Sequence, residues 1–280
     1  MSHELSELPT TPILSEKYYD EPSVFTSENL LREARRQKGV PEQPVPEMCI
    51  LDPDGDLVDY LRATGRAQQH PAWACYHTTL FTWEQDGIRF GIIGRAVGAP
   101  FAVLVAEELF VSGCQLLISI TSAGQLVTLG QPPYVVLIDR ALRDEGTSYH
   151  YLPPAPYSRL HPRLHELIGE RWDQSRLPLY TGGSWTTDAP FRETEAMLAW
   201  GREQGLLAIE MEAAALYALA EAKHYPIVCF AHVTNQMAQM EGDFEKGRAN
   251  GSLTMGELIG QVGQLWLSKC LSEEPIHFLE

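Results

Sequence analysis

The sequence predicts an α/β protein built on a mixed, largely parallel sheet flanked by helices. Three observations carry that prediction. Short apolar runs recur along the chain, helical patterns separate them, and glycine- and hydroxyl-bearing segments follow several of the runs at their carboxyl ends. With 280 residues, 44% of them hydrophobic and 21% charged, the chain is long enough for one large domain with a sizeable core.

Residues 1–47 are polar and proline-bearing and read as an N-terminal arm, with residues 48–280 forming the domain proper. One basic helical stretch interrupts the arm, Ser27-Glu-Asn-Leu-Leu-Arg-Glu-Ala-Arg-Arg-Gln-Lys38, opened by a capping-type residue. Buried strands are expected at Met48–Leu51, Ile88–Ile93, Leu116–Ile120, Tyr134–Ile138, Leu206–Ile209 and Ile227–Val233. Helices are expected over Pro100–Phe110, with Glu107 and Glu108 turned outward, and over the alanine-rich Glu212–Lys223. In such an alternating architecture a ligand site belongs at the carboxyl ends of the strands.

Composition removes several classes of function. A formal net charge of −16 lacks the basic footprint of a nucleic-acid binder. No stretch approaches the roughly 20 apolar residues that span a bilayer, so no membrane partner is expected, and the polar start Met1-Ser-His-Glu points to a cytoplasmic protein. The five cysteines, 49, 75, 114, 229 and 270, are scattered through apolar runs and read as buried thiols. No metal-ligand spacing is present, and neither a metal nor an organic cofactor is expected.

The segment with the most chemistry is Gly205-Leu-Leu-Ala-Ile-Glu210-Met211-Glu212-Ala-Ala-Ala-Leu. It sets two carboxylates around a methionine where an apolar strand becomes a helix. The second acid falls in the first helical turn, near the positive end of the macrodipole. An ionised carboxylate accepts two hydrogen bonds, as adjacent sugar hydroxyls require, and a thioether offers a polarizable surface to a ring. Four more segments adjoin strand patterns: Gly94-Arg95-Ala-Val-Gly98, Ser119-Ile-Thr121-Ser122-Ala-Gly124, Trp185-Thr-Thr-Asp188-Ala-Pro-Phe191-Arg192-Glu193 and Thr234-Asn235. The first two combine glycine with donors and allow close approach to an anion or sugar. In the third, Trp185 and Phe191 are placed to sandwich a planar base while Asp188 or Arg192 reads its edge; an aromatic in such a stretch serves equally as a core plug. Asn235 both donates and accepts toward a heterocyclic amide.

Together these segments, with Leu142-Arg-Asp-Glu-Gly-Thr-Ser-Tyr-His150, resemble the purine nucleoside phosphorylase and uridine phosphorylase family over roughly residues 48–270. The resemblance implies the three-layer α/β sandwich of that family and cleavage of the bond between a nucleobase and ribose. It implies a small-molecule nucleoside as ligand and a homo-oligomer in which a neighbour closes the pocket. Glu212 would bind the ribose hydroxyls, with Met211 and Glu210 on the same wall. Trp185, Asp188, Phe191, Arg192 and Asn235 would face the base. Catalysis would fall to Glu212, Asn235 and Asp188, stabilising an oxocarbenium-like sugar and an electron-rich leaving base. Arg95, Thr121, Ser122, Gly124 and Asp54 would form the site for phosphate or water.

That last site departs from the family. Ser119 stands where the phosphorylases carry an arginine before the serine, Leu57 aligns with a second arginine, and Cys75–Thr78 contains none where a third is expected. Bidentate arginine is hard to replace in phosphate recognition, and Asp52, Asp54 and Asp56 would repel a phosphate dianion by roughly a kcal/mol or more each at close range. The Asp144–His150 and Trp185–Thr194 segments resemble the phosphorolytic branch, with inorganic phosphate as co-substrate. The aspartates instead suit a nucleosidase that activates water, and a nucleoside-binding protein without turnover is a third reading. Purine against pyrimidine stays open, as does any role for His77, His150 or His232.

Overall fold

The computed structural model describes residues 11–15, 17–237 and 241–270. The first ten residues of the expected arm, the last ten of the expected domain and the Cys270 side chain lie outside the described residues.

The helical elements are α1 (Ser27–Lys38), α2 (Asp56–Ala63), α3 (Ala99–Val111), α4 (Pro162–His165), α5 (Glu195–Glu203), α6 (Ala213–Lys223) and α7 (Ser252–Cys270). The strands are β1 (Met48–Asp52), β2 (Gln68–Gln69), β3 (Phe81–Gln85), β4 (Ile88–Gly94), β5 (Leu116–Gln125), β6 (Tyr134–Asp144), β7 (Tyr157–Arg159), β8 (Leu179–Thr187), β9 (Leu206–Glu210) and β10 (Ile227–Asn235). β1 and the first eight residues of β10 are buried throughout, as continuous apolar runs covered on both faces should be. Outside the ring described next, β1 pairs with both β5 and β4, and β3 and β2 follow β4 toward one edge.

The sheet closes on itself. β5 pairs in parallel with β10, β10 runs antiparallel to β6, β6 and β8 are parallel, β8 and β9 are parallel, and β9 returns antiparallel to β5 through Gly124–Ile209 and Gln125–Ala208. This ring explains where the sequence reading ended strands too soon. Thr121–Gly124 is strand and not a turn, because β5 continues past Ile120 to meet both β10 and β9. β6 likewise runs on to Asp144, in register with Thr187 of β8.

Two groups of helices flank the sheet, α1 with α3 and α6, and α2 with α7. α1 is capped by Thr26, whose side chain accepts from the Asn29 amide, one residue before the expected position, and ends at Gly39 with φ +63°. Its Leu31 and Ala34 pack on Ala74, so this part of the arm is docked. Since α3 is covered by α1 and α6, it has no polar stripe, and Glu108 is buried rather than outward, with neither carboxylate oxygen hydrogen-bonded. Glu107 accepts from the Tyr151 hydroxyl at 2.6 Å. α6 is buried from Ala213 to Leu219. Its Tyr217 hydroxyl, fully inside, donates to the Ile138 carbonyl of β6 and accepts from the Cys229 amide of β10 at 3.1 Å.

Candidate active site

A cavity of about 470 Å³ opens at the carboxyl ends of β5, β9 and β10 and beneath the loop after β8. Ser122 and Gly124 come from β5, Glu210 and Met211 from the end of β9, Asn235 from β10, and Phe191 and Glu193 from the loop. The wall is close at Gly124, where a Cβ would stand 2.6 Å from the Met237 sulfur. Asn235 uses its Oδ1 to accept from the Met237 amide at 2.9 Å and its Nδ2 to donate to the Ala123 carbonyl at 3.4 Å, so its amide plane is fixed beside the cavity.

The two carboxylates around Met211 have different surroundings. Glu210 Oε1 accepts from Ser184 at 2.9 Å and from Thr186, while Oε2 accepts from the amides of Glu212 and Ala213, both at 2.7 Å. Four donors therefore bind it, and it holds the first turn of α6 onto β8. Glu212 is buried and turned toward α3, where its Oε1 accepts from the Gly98 amide at 2.7 Å. Its Oε2 has no hydrogen-bond partner. Burial, reinforced by the Glu210 charge, raises the Glu212 carboxyl to about 8, against the pull of the Gly98 amide.

Beside Ser122 lies an acidic cluster. Asp54 accepts from the Ser122 hydroxyl at 2.9 Å and from Lys246 at 3.0 Å, and Lys246 also pairs with Asp56. Burial alone would lower the Lys246 ammonium, but its bonds to Asp56 and Asp54 outweigh this and raise it. Asp52, at the end of β1, accepts from the Gly55 and Val58 amides and closes the turn into α2; burial pushes it up to about 7. His232 is buried among these groups with Nε2 unpartnered, and burial pushes it down to about 4. The Thr121 hydroxyl donates to the Ser122 carbonyl at 3.3 Å.

The expected site residues thus fall into two sets. Ser122, Gly124, Glu210, Met211, Asn235 and Phe191 share the cavity, with Asp54 beside Ser122. Others are placed elsewhere. Glu212 and Thr121 are buried and do not line the cavity. Arg95 is half-exposed and paired with Asp59 on the surface. Trp185 is buried with Leu126, Leu142, Leu198, Leu206 and Ile209, its indole donating to Asp144 at 2.9 Å. Asp188 accepts from the Gly146 amide at 2.9 Å and lines a different cavity, and Arg192 is exposed. Sequence reasoning did not assign roles to Glu193, Lys246 or Met237. Among the described residues no group of three His, Cys, Asp or Glu side chains is placed to hold a metal ion.

The closed α/β sheet thus carries a cavity at its strand ends, walled by carboxylate, thioether and amide, in the position where α/β folds hold small molecules. The chain belongs to the Phosphorylase superfamily, whose sequence pattern matches residues 47–259. It is similar to the guanosine phosphorylase of Halorubrum lacusprofundi, 30% identical over 142 residues that make up 49% of this chain and 57% of that protein. It is also similar to the DeoD-type purine nucleoside phosphorylase of Brevibacillus brevis, 29% identical over 157 residues, 52% of this chain and 65% of that one. The chain therefore matches less than two thirds of the length of these relatives. Solved structures share the fold: uridine phosphorylase from Vibrio fischeri (TM-score 0.65, 19% identity) and purine nucleoside phosphorylase from Toxoplasma gondii (TM-score 0.67, 17% identity), each alignment covering 81% of this chain and 93% of the other.

Proposed function

We propose that the protein cleaves the N-glycosidic bond of nucleosides, transferring the ribosyl group to inorganic phosphate with no organic cofactor. The observation that carries this reading is the placing of Met211 and Glu210 on the same cavity as Asn235, in a member of a superfamily whose named relatives are nucleoside phosphorylases. Met211 packs on the sugar. The unpartnered Glu212 Oε2 behind it is an acceptor in need of donors, and ribose hydroxyls supply them. Asn235 holds the base. Ser122 and Lys246, both now bonded to Asp54, are the donors available to phosphate. As the bond breaks, charge develops on sugar and base, and groups aimed at those charges lower the barrier.

Water is the second reading, favoured by one observation: the groups beside Ser122 are two carboxylates against one ammonium, a balance that opposes an anion and suits a general base. Base release from inosine, guanosine, adenosine, uridine and methylthioadenosine, with and without millimolar phosphate, tests both. Phosphate-dependent release with ribose 1-phosphate as product supports transfer; phosphate-independent release of ribose assigns hydrolysis.

A homo-oligomer belongs to the same proposal. Phe191, almost fully exposed on the cavity rim, and the exposed Val24 and Phe25 are apolar surface that a neighbouring copy would cover. A cytoplasmic location also belongs to it, supported by four buried free thiols that suit a reducing compartment.

A further inference from the structure

Asn235 positions a base but has no acidic proton to give. Cleavage leaves the bonding electron pair on the base, and proton donation to that base in the transition state is worth about 10² to 10⁴ in rate. Among the described residues on the cavity wall, the carboxyls Glu193, Glu195 and Glu210 are the groups that can supply a proton. Burial raises the Glu210 carboxyl, but both of its oxygens are occupied, Oε1 by Ser184 and Thr186 and Oε2 by the amides of Glu212 and Ala213, so neither is free to hand a proton to a base. Glu195 is exposed at the start of α5, open to solvent rather than enclosed by the cavity. Glu193 differs from both. It is half-buried in the loop after β8, two residues before α5 and on the same wall as Asn235 and Met211.

We propose that Glu193 is the general acid that protonates the departing base. This inference rests on the cleavage reading above. The C1′–N bond breaks with its electron pair passing to the base, the Glu193 carboxyl proton moves to a ring nitrogen or carbonyl oxygen of that base, and a C1′–O bond forms to the acceptor. Glu193 is left as carboxylate and recovers its proton from the acceptor or solvent. Burial alone lifts this carboxyl to about 7, so an appreciable fraction holds a proton at neutral pH. Glu195 from α5 and Glu210 from β9 are the other charged groups on the wall, and Arg192 is its neighbour in the chain.

The test compares wild type with Glu193→Gln on the better of guanosine and uridine, and on p-nitrophenyl β-D-riboside, whose leaving group departs without protonation. The expected result is a loss of at least about 100-fold in kcat/KM on the nucleoside and less than about 5-fold on the activated riboside. The fall in wild-type nucleoside kcat/KM as pH rises past about 7 should vanish in the variant, and Glu193→Asp should restore part of the rate. Equal losses on both substrates, or no loss on the nucleoside, overturn the assignment of Glu193. A wild type inert toward all three compounds overturns the cleavage reading itself.

Discussion

The Ser122 hydroxyl donates to Asp54 at 2.9 Å, joining the carboxyl end of β5 to the loop after β1 across 68 positions of sequence. A carboxylate therefore occupies the donor that an acceptor anion would use, and Lys246 neutralises only one of the two aspartates it touches.

Asp54→Asn removes one negative charge from this point. At close range a unit charge is worth about 1–4 kcal/mol, depending on the local dielectric. If phosphate is the acceptor, its KM should fall about tenfold, and Lys246→Met should raise it by a similar factor while the nucleoside KM changes little. Initial rates at varied phosphate read both effects. If water is the acceptor, Asp54→Asn should instead abolish phosphate-independent turnover.

Glu212→Gln should lower kcat/KM by about 10-fold or more, since with the amide oxygen kept on the Gly98 amide an NH2 replaces Oε2, the one acceptor left for ribose, and an unmatched buried group costs about 1–3 kcal/mol. Stability should respond with a defined sign. The Glu212 carboxyl stands at about 8 in the folded protein against an ordinary 4.5, so its contribution is complete below pH 4.5 and is lost as pH rises through 8. The wild type should therefore lose ground to the variant between those limits in urea unfolding run at several pH values. A pH-independent difference would show that Glu212 titrates as an ordinary surface acid.

Tyr217→Phe removes the hydroxyl that bridges Ile138 and Cys229. Two buried backbone groups on neighbouring strands lose their side-chain partner, at a cost of about 1–3 kcal/mol for each group left unsatisfied. Denaturant unfolding should show a lowered midpoint with an unchanged slope, because the surface exposed on unfolding is the same.

The sheet was legible because its strands are apolar runs of the length that strands have, and so was the carboxylate pair at the start of α6. The ring was not, because strand pairing between β5 and β9 leaves no mark in either segment alone. Trp185 shows how local alternation could have helped. Thr186 turns its hydroxyl to Glu210, so its neighbour in an extended strand faces the other side, into the cluster of Leu126, Leu142 and Leu198. Lys246 carries no such clue: it lies in an irregular segment, 192 positions from the aspartate it binds.

The closed ring also bears on how copies of this chain avoid sticking together. Of the described strands, β2, of two residues, and β7, of three, end the sheet, with Trp83–Gln85 of β3 lying beyond the reach of β2. Neither is long enough to template an incoming strand, and the two glutamines of β2 offer no apolar face to seal one in place. At these two strands any contact between copies would fall to side chains, which can be specific, rather than to bare backbone, which pairs with almost any partner.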